Sequence, residues 1–243
     1  MRSLILLLST AALAACNMSA DAEESSGSGQ TTQRSYNVGE FESVGLAGSQ
    51  DVIVTVGGPA SVHAQGDPDI IDKLDIRVEN GTLKIGTQQG TNWTSNFMRN
   101  RKPVTIYVTT PRLAVAAVAG SGDMKVDKVE GDRFKGAVAG SGDLQIAEMR
   151  VAEAEISVAG SGDIMVAGTA ERLTARLAGS GDMELSGLTA KSAEISVAGS
   201  GNVRANASGT ANVSVVGSGD VSLSGGAKCT ISKRGSGDVR CEG

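Results

Sequence analysis

Through the second half of the chain, apolar residues recur at fixed offsets from a repeated glycine. Counting from Gly120, Gly140, Gly160, Gly179, Gly199, Gly217 and Gly235, four residues earlier stand Ala116, Gly136, Ile156, Ala175, Ile195, Val213 and Ile231. Two residues earlier stand Val118, Val138, Val158, Leu177, Val197, Val215 and Lys233. Four residues later come Met124, Leu144, Ile164, Met183, Val203, Val221 and Val239, and six later Val126, Ile146, Val166, Leu185, Ala205, Leu223 and Cys241. The residues between are mostly polar or small. Apolar side chains at every second position, on both sides of the glycine, predict half-buried strands flanking a corner.

The corner itself reads Gly-Ser-Gly-Asp, with Asn202 ending the copy at Gly199. Successive copies start 20, 20, 19, 20, 18 and 18 residues apart. Glycine reaches positive φ without steric cost, and Asp bonds nearby backbone, so the phrase is turn chemistry. A second turn is expected in each unit, at Ala167-Gly168-Thr169, Ser186-Gly187-Leu188, Ser208-Gly209-Thr210 and Ser224-Gly225-Gly226. A unit this small cannot bury its apolar face alone, but stacked neighbours share edges and one continuous core. The pattern predicts an all-β fold, a β-helix or β-solenoid with coils of 18–20 residues. At the usual strand spacing, seven coils make a rod about 30–35 Å long. A propeller needs about 40 residues per blade and is disfavoured; meandering antiparallel hairpins give a similar pattern. Gly48-Ser49-Gln50-Asp51 is a degenerate eighth copy. The segment 57–100 reads as a long excursion, with a helical turn over Asp69–Leu74.

The last unit departs from the rule, with Lys233-Arg234 where Val-Ala usually stands. Charge on an end coil discourages pairing with another chain. Cys229 and Cys241 lie six residues before and six after Gly235 and share inward parity. A disulfide between them is the hypothesis, in keeping with an oxidising compartment.

At the other end, Arg2 and the apolar run from Leu4 to Ala15 read as a secretory signal, too short to span a bilayer. Leu13-Ala14-Ala15-Cys16 resembles the lipobox of bacterial lipoproteins, and the resemblance implies lipidation at Cys16 after cleavage of residues 1–15. Asn17 behind it, by similarity to enterobacterial sorting, favours the outer membrane, facing the periplasm or the cell surface. Residues 16–34 are Ser-, Gly-, Gln- and Thr-rich and read as a flexible tether. The folded domain is expected over 35–242, with irregular coils to 110 and regular repeats from 111. A net charge of −5 argues against nucleic acid.

The chain resembles the head GIN domain family of auto-transporter adhesins, a domain of unknown function. The resemblance rests on Phe41-Glu42-Ser43-Val44, Gly48–Val54, Val78–Ile85, Val104–Val108, Pro111-Arg112-Leu113 and the Gly-Ser-Gly-Asp units. It implies a right-handed β-helix-like fold in an exported protein or lipoprotein, and it brings no catalytic residues with it.

The residues bear on three chemistries. Asp123, Asp143, Asp163, Asp182, Asn202, Asp220 and Asp238 stack at one corner, where turn carbonyls and carboxylates make a calcium ladder conceivable. One carboxylate per coil is sparse, however, and neighbouring exposed charges repel by only about 0.8 kcal/mol, so the ladder needs no cation. Turn-forming aspartates bonded to backbone amides are the expectation, with a weak ion site as the alternative. Catalysis of the polysaccharide-cleaving β-helix kind needs two carboxyls with different environments, which identical coils do not supply. No metal centre, cofactor or catalytic activity is expected. For binding, Trp93, Phe97, Arg99 and Arg101 form the chain's aromatic-plus-basic cluster, an exposed loop that offers a contact for a membrane or an envelope protein. A glycan partner and self-association through solenoid ends or faces complete the expectations.

Overall fold

A computed structural model describes residues 31–88, 90 and 102–242. Cys16, the signal, most of the tether and the loop residues Trp93, Phe97, Arg99 and Arg101 lie outside the described residues. In chain order the elements are β1 (Thr32–Tyr36), β2 (Ser43–Gly48), β3 (Asp51–Val56), β4 (Ser61–Gly66), the helical turn α1 (Pro68–Ile71), β5 (Leu74–Glu79), β6 (Thr82–Thr87), β7 (Thr105–Thr110) and β8 (Val115–Gly120). The long strands β9 (Met124–Gly140), β10 (Leu144–Gly160), β11 (Ile164–Gly179), β12 (Met183–Gly199) and β13 (Val203–Gly217) follow, then β14 (Val221–Ser224), β15 (Lys228–Gly235) and β16 (Val239–Cys241). All belong to one sheet, wound into a β-solenoid of about 6 turns.

Strands β9 to β13 pair in parallel, coil on coil. Leu144 stands between Met124 and Ile164, and Gly160 between Gly140 and Gly179. The glycine corner therefore stays in register along the rod. In β9–β13 the second turn expected in each unit is instead a pair of bends inside one continuous strand, whereas the turn expected at Ser224-Gly225-Gly226 stands and separates β14 from β15. Along β10 the buried residues are Leu144 and Ile146, then Met149 and Val151, then Ala154, Ile156 and Val158. Each jump of three leaves two outward residues together, at Ala147-Glu148 and Ala152-Glu153, and turns the strand there. A coil thus presents three inward runs where simple alternation predicts two. Register irregularities fall at these bends, between Ile146 and Met149 and between Leu185 and Thr189. Bulges there absorb the variation in coil length, which keeps the glycine corners aligned.

Within the segment read as an excursion, residues 57–88 carry the strands β4, β5 and β6. Strand β3 pairs in parallel with both β7 and β9, so Gly48–Asp51 is a true corner in register with Gly120. Beyond it, β4 pairs antiparallel with β7 and β1, while β5 and β6 form an antiparallel hairpin on β2. These strands cover the edges that the first coil would otherwise expose. Thr32–Arg34, placed by composition in the tether, are already in β1. The helical turn spans Pro68–Ile71, capped by Asp67, whose Oδ1 accepts from the Asp69 N–H at 3.0 Å, and Ile70 and Ile71 are buried beneath it.

The core is one column of Val, Ile, Leu, Met and Ala side chains. Its exceptions are Phe41, at the start of the domain, and Phe134, fully buried in β9 where the next coils carry Ala154 and Leu173. Gly136 makes the room. A Cβ there would lie 3.3 Å from Phe134 Cε1 and 3.1 Å from Ile156 Cδ1.

Candidate functional site

The Gly-Ser-Gly-Asp corners form a straight stack on one edge of the rod, built from two glycine columns and one carboxylate column. The first glycines have φ between +129° and +139°, and a Cβ on any of them would sit 1.9–2.4 Å from the carbonyl oxygen of the glycine one coil earlier. That oxygen accepts two hydrogen bonds: Gly140 O takes the N–H groups of Ser161 at 2.8 Å and Gly162 at 3.0 Å. The second glycines are excluded from substitution by space alone, since a Cβ on Gly162 would lie 2.1 Å from Gly142 O.

The carboxylate column is a ladder of side chain to backbone bonds between coils. The N–H of Asp143 donates to Asp123 Oδ1 (3.0 Å), that of Asp163 to Asp143 (2.9 Å), and that of Asp182 to Asp163 (2.7 Å). Asn202 continues the chain, donating its N–H to Asp182 and accepting from the Asp220 N–H, and Asp238 donates in turn to Asp220. The aspartates do bond amides, but those of the next coil, about twenty residues on, not those of their own turn. Asn202 serves as well as Asp because only one side-chain oxygen is needed, and its Nδ2 adds a 3.0 Å bond to Asp182.

The first corner shows how the stack ends. Gln50 replaces the second glycine, is buried, and sets its Oε1 2.5 Å from where a Cβ on Gly48 would stand. In every later coil that place belongs to a backbone carbonyl oxygen. The Gln50 side chain thus fills the position of the coil that is missing.

Outside the ladder, most charged side chains of β9–β13 are paired across coils. Glu153 bridges Arg133 (2.7 Å) and Arg172 (2.5 Å), Glu155 bridges Lys135 (3.7 Å) and Arg176 (3.1 Å), and Lys191 meets Glu171 at 2.6 Å. Exposed pairs of this kind contribute little stability each. Glu79, on the β5–β6 hairpin, is drawn down to about 2 by hydrogen bonds from Lys84 and Arg77, an ion pair rather than a general acid. Cys229 and Cys241 are joined by a disulfide that ties β15 to β16, with Cα atoms 6.6 Å apart.

Two features lie on outward positions that sequence periodicity does not flag. His63 and Tyr107 stack at 4.8 Å near the first coil. At the other end of the rod a cleft of about 290 Å³ opens beside the last rungs of the ladder, lined by Asn202, Arg204, Asp220, Ser222, Asp238 and Arg240. Arg204, Ser222 and Arg240 are neighbours in register on β13, β14 and β16. Their common offset, five residues past the corner glycine, was the available signal.

Comparison with known proteins agrees with this architecture. The family model described as "Putative auto-transporter adhesin, head GIN domain" matches residues 40–227. A crystal structure of a "putative adhesin" from Bacteroides fragilis superposes with a TM-score of 0.79 at 22% identity, over 88% of this chain and 98% of that one. A "putative lipid binding protein" from Parabacteroides distasonis gives 0.70 at 23% identity, over 89% and 98%. A "putative adhesin" from Parabacteroides merdae gives 0.69 at 15%, over 89% and 98%. At these identities the solved structures establish the fold. No curated protein matches the chain.

Proposed function

Since the chain belongs to the head GIN domain family, we propose that it is an exported, lipid-anchored β-solenoid of the cell envelope with an adhesin-like binding role. The observation that carries this reading is the pairing of a lipobox-like Leu13-Ala14-Ala15-Cys16 with a rod that starts at Thr32 and closes on a disulfide. Disulfides persist in oxidising compartments outside the cytosol, and several acyl chains on Cys16 anchor stably where one does not. Among the described residues no helix is long and apolar enough to cross a membrane, so the lipid carries the attachment in this reading. Asn17 favours the outer membrane. The corner stack supplies rigidity, while binding falls to the outward faces of the rod.

Growth of the producing cells with an alkyne-tagged fatty acid tests the anchor. The protein is expected to take up label and to sediment with outer membranes, and Cys16→Ser to lose both. An unlabelled protein recovered wholly in the soluble fraction overturns the reading.

A further inference from the structure

We propose that the cleft at the C-terminal end of the solenoid binds an acidic sugar, a hexuronate unit of a polysaccharide, through its carboxylate and ring hydroxyls. Strand register brings the cleft's cations together. Arg204, Ser222 and Arg240 occupy the same outward position on three successive strands. The two arginines are therefore about 10 Å apart at the backbone, with a hydroxyl between them. Arg204 touches Glu184 at 3.5 Å, and its guanidinium keeps donors to spare. Arg240 makes no ion pair among the described residues. Two planar guanidinium groups lining one cleft suit a carboxylate, which they hold by charge-assisted hydrogen bonds.

The opposite wall decides what accompanies that carboxylate. Asp220 and Asp238 line it, and they repel a compact dianion such as phosphate. For a ligand with one negative charge and several hydroxyl donors they are acceptors. Asp220 commits Oδ1 to the Asp238 N–H at 2.7 Å and keeps its other oxygen. Among the described residues no backbone N–H donates to Asp238, and Lys233 approaches its Oδ1 only at 3.9 Å. The ladder's single Asn, Asn202, falls in this cleft. It leaves two cations facing two anions where an Asp would leave three anions. A monoanionic polyol satisfies both walls, whereas a neutral sugar leaves the arginines unused.

This inference rests on the binding role proposed above but not on the anchor, so fractionation and ligand binding fail separately. The test is calorimetric titration of the purified protein with trigalacturonate and with its fully methyl-esterified form, in which every carboxylate is a neutral ester. The acid is expected to bind saturably, and the ester at least about tenfold more weakly. Arg240→Gln should weaken the acid by at least about tenfold at an unchanged melting temperature, with Arg240→Lys recovering part of the loss. Arg176→Gln, on a different row, should bind as the unaltered protein does. No saturable binding of the acid, equal binding of the ester, or full affinity in Arg240→Gln overturns the assignment.

Discussion

Gly160→Ala is expected to destabilise the rod by more than about 4 kcal/mol, lowering its melting temperature by roughly 10 °C or more, or to prevent folding. Two penalties coincide at this residue. Its φ of +134° lies where an L side chain is strained, and its Cβ would stand 2.3 Å from Gly140 O and 3.1 Å from Gly140 C and N. None of these atoms can swing aside, because all are backbone and the oxygen is held by the bonds from Ser161 and Gly162. Two control glycines separate the terms. Gly131 has φ +147° with nothing within 4 Å of its Cβ, so Gly131→Ala should cost only the backbone strain, about 1–3 kcal/mol. Gly39 has neither constraint, and Gly39→Ala should fall within about 0.5 kcal/mol of neutral. Denaturant melts of the three variants check the ranking Gly160, Gly131, Gly39. Similar losses at Gly160 and Gly131 would mean that close stacking contributes nothing beyond conformation.

Phe134→Ala carries the second large effect. The ring is fully buried in a column whose neighbours are Ala154 and Leu173, and removing it leaves a cavity worth about 3–5 kcal/mol. The pairing with Gly136 gives a sharper expectation. In the unaltered protein, Gly136→Ala presses a methyl to 3.3 Å from Phe134 Cε1 and 3.1 Å from Ile156 Cδ1, an overpacking cost of about 1–3 kcal/mol. With Phe134 already Ala, the same change adds volume to an emptied site and should become less harmful or favourable. A double-mutant cycle measures this as a coupling of at least about 1 kcal/mol. Additive losses would show that the two residues do not share one packing site.

What the sequence disclosed followed from what must repeat. The corner glycines and the Val, Ile and Leu positions around them face the same neighbours in every coil, so their spacing reveals stack, period and register together. The bends at Ala147-Glu148 and Ala152-Glu153 were not legible, because a jump of three amid small residues looks like noise against strict alternation. The cap was hidden for a different reason: β4 and β5 are ordinary alternating strands whose antiparallel partners are set by the edge they cover. The aspartates looked like local turn formers because Asp does bond its own turn. Only stacked coils bring the Asp143 carboxylate to the Asp163 N–H. The cleft arginines went unread because outward residues vary from coil to coil, and a row of Lys125, Gln145, Met165, Glu184, Arg204, Ser222 and Arg240 has no periodic chemistry.

The central claim is that Gly-Ser-Gly-Asp is a stacking device whose carboxylate holds the next coil. Amide hydrogen exchange of Asp143→Ala tests it most directly. The Asp163 N–H, which donates to Asp143 Oδ1 at 2.9 Å, should lose protection, while the Asp143 N–H, bonded to Asp123 at 3.0 Å, keeps its own, with or without added calcium. Unchanged protection at Asp163, or protection in the unaltered protein that appears only when calcium is present, would contradict the claim and return the corner to the status of an ion site.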